Sequence, residues 1–256
     1  MAKIPFFDIF FCWGGQRLSN ASGSMEQDSE RTALPSTVYE DRVETIEVGA
    51  YKETLKVDLF ASVALEVANF TLFAAADTDA ARLPFTLCST PGGAVGTRAA
   101  LWSEAGLKSV PKPLEFNTIA KITLDFFANN RFAWGYVLAT AYRTANVTAD
   151  GETDPVEIGA LGADEEMIIN FHSLEAPGGT TPTLAGVLES DVDDTFASPT
   201  TRATFTVVTD EPFAESITID GDTDPITDTF YRVTWDIGGT GGPSYFPLVA
   251  AAIRAK

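Results

Sequence analysis

Side chains able to do chemistry are few in this chain, and they lie far apart. A single histidine, His172, serves all 256 residues, and both nucleophile–histidine hydrolysis and an ordinary zinc site need that side chain. It lies in the run Met167-Ile-Ile-Asn-Phe-His-Ser-Leu174, where a period of two groups it with Ile168 and Asn170, opposite Met167, Ile169 and Phe171. The spacing predicts a polar-face histidine on a strand and not a general base. The two cysteines, Cys12 and Cys88, are remote from one another and lack CxxC spacing. Two buried thiols are the expectation, with a structural disulfide as the other reading.

Hard oxygen ligands are more abundant. Asp191, Asp193 and Asp194 form one cluster, and Asp220, Asp222 and Asp224 form a second that begins with EF-hand spacing. In the second, Pro225 stands where that loop needs glycine and Tyr231 where it needs a bidentate glutamate. Solvated acidic turns are therefore expected, with calcium as the alternative. The paired carboxylates of a glycosidase are spatial partners, so among 36 acidic residues their presence carries no information. Gly92-Gly-Ala-Val-Gly96 has no lysine after it and does not match a phosphate-binding fingerprint. No enzyme activity, no cofactor and no metal are expected.

Any such groups would have to be held by β-structure. Short alternating runs occur at 184–188, 203–208, 216–219 and 229–237, separated by Gly, Pro, Asp and Thr clusters. In the last run Tyr231, Val233, Trp235 and Ile237 share one face, while Arg232, Thr234 and Asp236 share the other. Further strands are expected at 43–48, 55–60, 85–88, 120–127 and 131–138, and the alanine-rich stretch 61–81 reads as a short helix. The fold class is mostly β: tandem antiparallel β-sandwich or barrel-like modules with long loops and at most one or two short helices. A composition shift near residue 150 divides a first domain, 1–150, from a second β module, 151–256. Asp150-Gly-Glu-Thr-Asp-Pro155 nearly repeats as Asp220-Gly-Asp-Thr-Asp-Pro225. Common turn chemistry is one explanation and a faint internal duplication the other. Residues 14–36 are polar throughout and read as an extended loop within the first domain.

Charge narrows the partners. The formal charge is −19 with a pI near 4.2, which opposes gripping nucleic acid or an anionic membrane. The arginines are scattered along the chain and form no basic patch. The apolar start, Met1 to Trp13, is broken by Asp8 and reads as a strand rather than a signal peptide, and no window reaches the length of a membrane span. Synthesis and retention in the cytoplasm of the producing cell follow as expectations.

Several segments carry a resemblance. Gly178-Gly-Thr-Thr-Pro-Thr-Leu184, Leu188-Glu-Ser-Asp191, Thr204-Phe-Thr206 and Thr229-Phe-Tyr-Arg-Val-Thr-Trp-Asp-Ile-Gly-Gly-Thr240 resemble the C-terminal β module of tailed-phage virion proteins, above all the major tail (tail tube) proteins. Gly92 to Trp102, Trp134-Gly-Tyr-Val-Leu138, and Gly15-Gln-Arg-Leu-Ser19 followed by Ala33-Leu-Pro35 are similar to other parts of such proteins. The resemblance implies a virion structural protein, made in the host cytoplasm, whose copies form rings, trimeric or hexameric, stacked into a tube. Other tail proteins would be its partners, and DNA would pass without specific binding. The inter-subunit contact is expected at Arg17, Glu26, Asp28, Glu30 and Arg31, a mixed-charge set suited to pairing across a joint. A capsid decoration or other virion protein is the alternative within this class. A carbohydrate-binding β-sandwich using Trp13, Trp102, Trp134 or Trp235 as a stacking platform is the alternative outside it; Trp134, between Phe132 and Tyr136 at period two, and Trp235 both read as core.

Overall fold

The computed structural model describes residues 10–17, 22–36, 45–60, 82–90, 93–109, 121–128, 132–140, 148–174, 178–209 and 213–256. Among these every regular element is a strand, as the alternating pattern leads one to expect. In chain order they are β1 (Phe10–Trp13), β2 (Gln16–Arg17), β3 (Ser22–Ser36), β4 (Thr45–Phe60), β5 (Leu83–Cys88), β6 (Arg98–Ser109), β7 (Lys121–Ala128) and β8 (Ala133–Thr140). There follow β9 (Gly151–Glu152), β10 (Val156–Glu157), β11 (Glu165–Ser173), β12 (Gly178–Asp191), β13 (Thr200–Thr204), β14 (Phe213–Asp220), β15 (Phe230–Ser244) and β16 (Pro247–Ala255). The helix expected at 61–81 falls outside the described residues. The chain forms two compact units, one of residues 1–5, 21–81 and 106–132, the other of 6–20, 82–105 and 133–256.

In the first unit β3 pairs with β4, β4 with β7, and β7 with the end of β6, all antiparallel. Residues 14–36, expected to be a loop, are instead a Gly14-Gly15 turn, β2, and the 15-residue β3; residues 18–21 lie outside the described set. The register supplies the reason. Glu26 stands directly opposite Lys56 and Glu30 opposite Lys52, an arrangement of opposite charges that favours strand pairing without an apolar face. Leu55, Phe126 and Ala128 are buried. At Gly106, opposite Phe127 in the register, an added Cβ would come within 2.7 Å of the Phe127 ring, so the ring lies where any larger residue would place its side chain.

The second unit has two sheets. One runs β14-β11-β16-β8-β6-β5-β1-β2, with strands from both sides of residue 150 hydrogen-bonded together. The other is five-stranded, β10-β15-β12-β13 with β9 also on β15, and all its strands follow residue 150. Between the sheets lies a core of Leu138, Met167, Ile169 and Phe171 from the first, and Leu184, Leu188, Tyr231, Val233 and Trp235 from the second. The odd face of β11 and the odd face of β15 are thus the apolar faces their alternation predicts. Phe171 joins the two layers, with ring centroids 4.9 Å from Phe205 and 6.0 Å from Trp235.

The opposite face of the first sheet is also buried. Cys12, Cys88, Ala99, Leu101, Ala133, Val137, Ile168, Leu248, Ala250 and Ala252 pack there, and both cysteines are free thiols. Burial pushes the Cys88 thiol up to about 12, which keeps it protonated and inert. The small residues Ala250 and Ala252 of β16, with Gly135 of β8, let the backbones close in. A Cβ on Gly135 would lie 2.0 Å from the Ala251 carbonyl oxygen, a separation no side chain tolerates.

Candidate assembly surfaces

The even face of β11, which the alternation marks as the polar face, is the interior of a curled sheet. Asn170 and His172 are fully buried. Asn170 Nδ2 donates to the carbonyl oxygens of Phe85 (2.9 Å) and Trp102 (3.0 Å), with Thr86 Oγ1 at 3.1 Å, and its Oδ1 accepts from Ser216 Oγ at 2.8 Å. In the sheet order β16 and β8 separate β11 from β6, and β6 in turn separates it from β5. A hydrogen bond spanning those strands requires the sheet to roll over on itself. The carbonyls involved come from a place where the β5–β6 register shifts, between Leu83 and Phe85. Trp13 Nε1 donates to the Ala105 carbonyl oxygen in the same region at 2.9 Å. Side chains thus satisfy buried backbone groups beside an irregular ladder.

His172 Nε2 lies 2.9 Å from Thr86 Oγ1, while its Nδ1 and the hydroxyl of Ser173 are buried without a hydrogen-bond partner among the described residues. Burial lowers the imidazole to about 3, since the desolvated site disfavours the charged form. A neutral, enclosed histidine with one threonine neighbour is not arranged for proton transfer to a substrate.

The outer side of the five-stranded sheet carries an ion-pair network. Arg232 Nε donates to Glu189 Oε2 at 2.9 Å, directly across β12–β15, and its Nη1 lies 2.7 Å from Glu152 Oε2. Its guanidinium sits 4.4 Å from the centroid of the Phe196 ring. Nearby, Asp228 Oδ2 accepts from Ser190 Oγ (2.6 Å) and Arg202 Nη2 (2.8 Å). The Ser190 hydroxyl, then Arg202, holds the Asp228 carboxyl below the usual aspartate range. Arg202→Met should cost about 2 kcal/mol, between the values for exposed and buried pairs, because it strands a carboxylate whose side chain is 11% exposed. Adding Asp228→Asn should recover most of that loss, as read from urea midpoints.

The acidic clusters serve the backbone. Asp191 accepts from the amides of Val192 and Ser198 through its two oxygens, and Asp193 Oδ1 accepts from the amide and hydroxyl of Thr195. Asp220 Oδ1 accepts from the Asp222 amide and pairs with Lys256 Nζ. Among the described residues no group of three or more His, Cys, Asp or Glu is placed to hold a metal ion.

Of the residues expected at an inter-subunit joint, Arg17 lies on β2, opposite Cys12 of β1, in the second unit. Glu26, Asp28, Glu30 and Arg31 lie on β3 in the first, with the three acids at alternate positions. Among the described residues β3 pairs with β4 alone, so within that set one side of its backbone carries no ladder. Trp134, expected in the core, is 57% exposed, whereas Ala133, Gly135 and Val137 beside it are buried. Trp13 and Trp102 are fully buried and Trp235 nearly so. The aromatic neighbours at period two misled for Trp134 because it stands near the start of β8, at the limit of the packed core. The period of two places Asn170 on the polar face, and the signal of its buried role is one amide standing between the apolar Ile169 and Phe171.

No protein-family model matches this sequence, and no curated protein matches it. Solved structures with some likeness include the virion of a native gene transfer agent particle, at 13% identity over 50% of this chain and 95% of that one, with a TM-score of 0.34. The sheath–tube complex of an extracellular contractile injection system matches at 15% identity over 52% of this chain and 92% of that one, TM-score 0.40. The SPP1 Dit protein, a hub of the adsorption apparatus in phages infecting Gram-positive bacteria, matches at 14% identity over 96% of this chain and 99% of that one, TM-score 0.33. At these values the likenesses assign neither a family nor a function to the chain.

Proposed function

We propose that this protein is a structural component of a tailed-phage virion, and that its copies self-associate into stacked rings forming the wall of a tail tube. The observation that carries the reading is β3, a 15-residue strand paired on one side only among the described residues. A strand of that length with an open edge is an aggregation hazard unless a neighbour completes it. A neighbouring copy is the natural partner, and a head-to-tail contact of that kind closes into a ring. The charge of −19 suits a conduit that repels phosphate and lets DNA slide past without being held. Rings of three or six copies fit this scheme, with no catalysis, cofactor or membrane required. Other tail proteins would abut the ends of the tube.

Arg17, Glu26, Asp28, Glu30 and Arg31 carry the joint in this scheme. Purified protein viewed by negative-stain microscopy at high concentration should show rings or short tubes with a central hole. Asp28→Lys, whose partner across the register is the uncharged Thr54, should abolish tubes while leaving the circular dichroism of the monomer unchanged. Monomers at every concentration would overturn the reading. The exposed indole of Trp134 favours one second reading, a carbohydrate-binding sandwich, for which retention of the monomer on an immobilised oligosaccharide would be the sign.

A further inference from the structure

Trp134 has a physical context that points to a partner. It stands on β8 opposite Ala100 of β6, and β8 is hydrogen-bonded on its two sides, to β6 and to β16. Its indole is exposed although β8 lies inside the sheet order. Beside it, the exposed Arg98 lies over the ring of Tyr136, its guanidinium carbon 4.7 Å from the centroid. The result is an aromatic face flanked by a cation on a protein of charge −19.

A complementary feature exists elsewhere in the same unit. Val192 is 66% exposed, more than any other large apolar side chain among the described residues. It sits in the turn Asp191-Val-Asp-Asp194, where Asp193 and Asp194 are exposed. That turn is built, not loose. Asp191 ties it at Val192 and Ser198, Asp193 ties it at Thr195, and Phe196, with φ of 48° and nearly buried, anchors it beneath Arg232. A preformed turn loses little conformational freedom when it docks. An apolar knob flanked by acids matches an aromatic face flanked by an arginine in both shape and sign.

We propose that the Val192 turn of one copy docks on the Trp134–Tyr136–Arg98 face of a second copy. The two surfaces differ, so the contact is heterologous and repeats from copy to copy, closing into a ring or continuing as a filament. This contact presupposes the self-association proposed above and supplies it with a side-chain interface separate from the β3 edge. Four tryptophans occur, of which Trp13, Trp102 and Trp235 are buried. Trp134 therefore dominates fluorescence quenching by iodide.

The test is sedimentation velocity with iodide quenching across a concentration series of the full chain. In the wild type, association should protect Trp134 from iodide and shift its emission to the blue. Trp134→Ala and Val192→Asp should each raise the concentration needed for association by about 30-fold, the loss expected for a hot-spot anchor. Arg98→Asp and Asp194→Arg should each weaken association several-fold, and the double variant should recover it. Near-UV circular dichroism confirms that each variant is folded. Wild-type association that Trp134→Ala and Val192→Asp leave unchanged would overturn this contact but spare self-association. A wild type that remains monomeric would overturn both. Protection of Trp134 in the monomer by an added oligosaccharide, with no effect of Val192→Asp, would identify the face as a ligand platform and overturn the contact.

Discussion

Asn170→Leu should destabilise the protein by about 4 kcal/mol, since each buried polar group left unpaired costs roughly 1–3 kcal/mol. The substitution is nearly isosteric, so it opens little cavity. What it removes is the amide that serves the carbonyls of Phe85 and Trp102 and accepts from Ser216. Those carbonyls belong to fully buried residues, next to a shift in the β5–β6 register. Ser216→Ala removes one of the same bonds from a half-buried position and should cost only about 1 kcal/mol. Urea unfolding monitored by tryptophan fluorescence would measure both. Equal effects for the two variants would mean that Asn170 does not latch the curled sheet.

Acid should weaken the fold well before most carboxylates are protonated. The ordinary imidazole value is 6.5, and burial lowers His172 to about 3 in the folded protein. Below pH 6.5 the unfolded chain therefore binds a proton that the folded chain refuses, so stability falls as pH falls. The loss should be about 2 kcal/mol between pH 7 and pH 5, growing to about 4 kcal/mol near pH 3, on a slope approaching 1.4 kcal/mol per pH unit. His172 is the single histidine, which makes the upper part of this window its own. Asp228, held low by Ser190 and Arg202, adds a further loss in the same direction once the pH drops below the ordinary aspartate value. In His172→Gln the urea midpoint should stay flat between pH 7 and pH 5. A wild-type midpoint that is flat there would show that the imidazole is reached by solvent.

These two residues also mark where the amino-acid pattern stopped being readable. Strand β15 could be read because Tyr231, Val233 and Trp235 alternate with polar residues, and one apolar face was needed. Strand β11 shows the same alternation at Asn170 and His172, yet both of its faces are buried. A period of two distinguishes faces but does not say whether water covers the polar one; here the curl of the sheet covers it. Strand β3 looked like a loop because it lacks an apolar face altogether, and its partner β4 lies across a gap in sequence, so the Glu26–Lys56 and Glu30–Lys52 pairings appear only in the register. The repeated Asp-Gly-x-Thr-Asp-Pro segments show the limit in the other direction. Asp150 accepts from the Ile237 amide across the sheet, whereas Asp220 accepts from Asp222 within its own turn. Similar residues serve different local structures, as turn chemistry allows.

The central claim is self-association around an acidic passage, and a cryo-microscopy reconstruction of the assembled wild-type protein tests it most directly. The account predicts a ring or tube in which β3 is joined to a strand of the neighbouring copy and carboxylates line an open bore. An assembly with no channel, or one whose inner wall is lined by arginine and lysine, would contradict it.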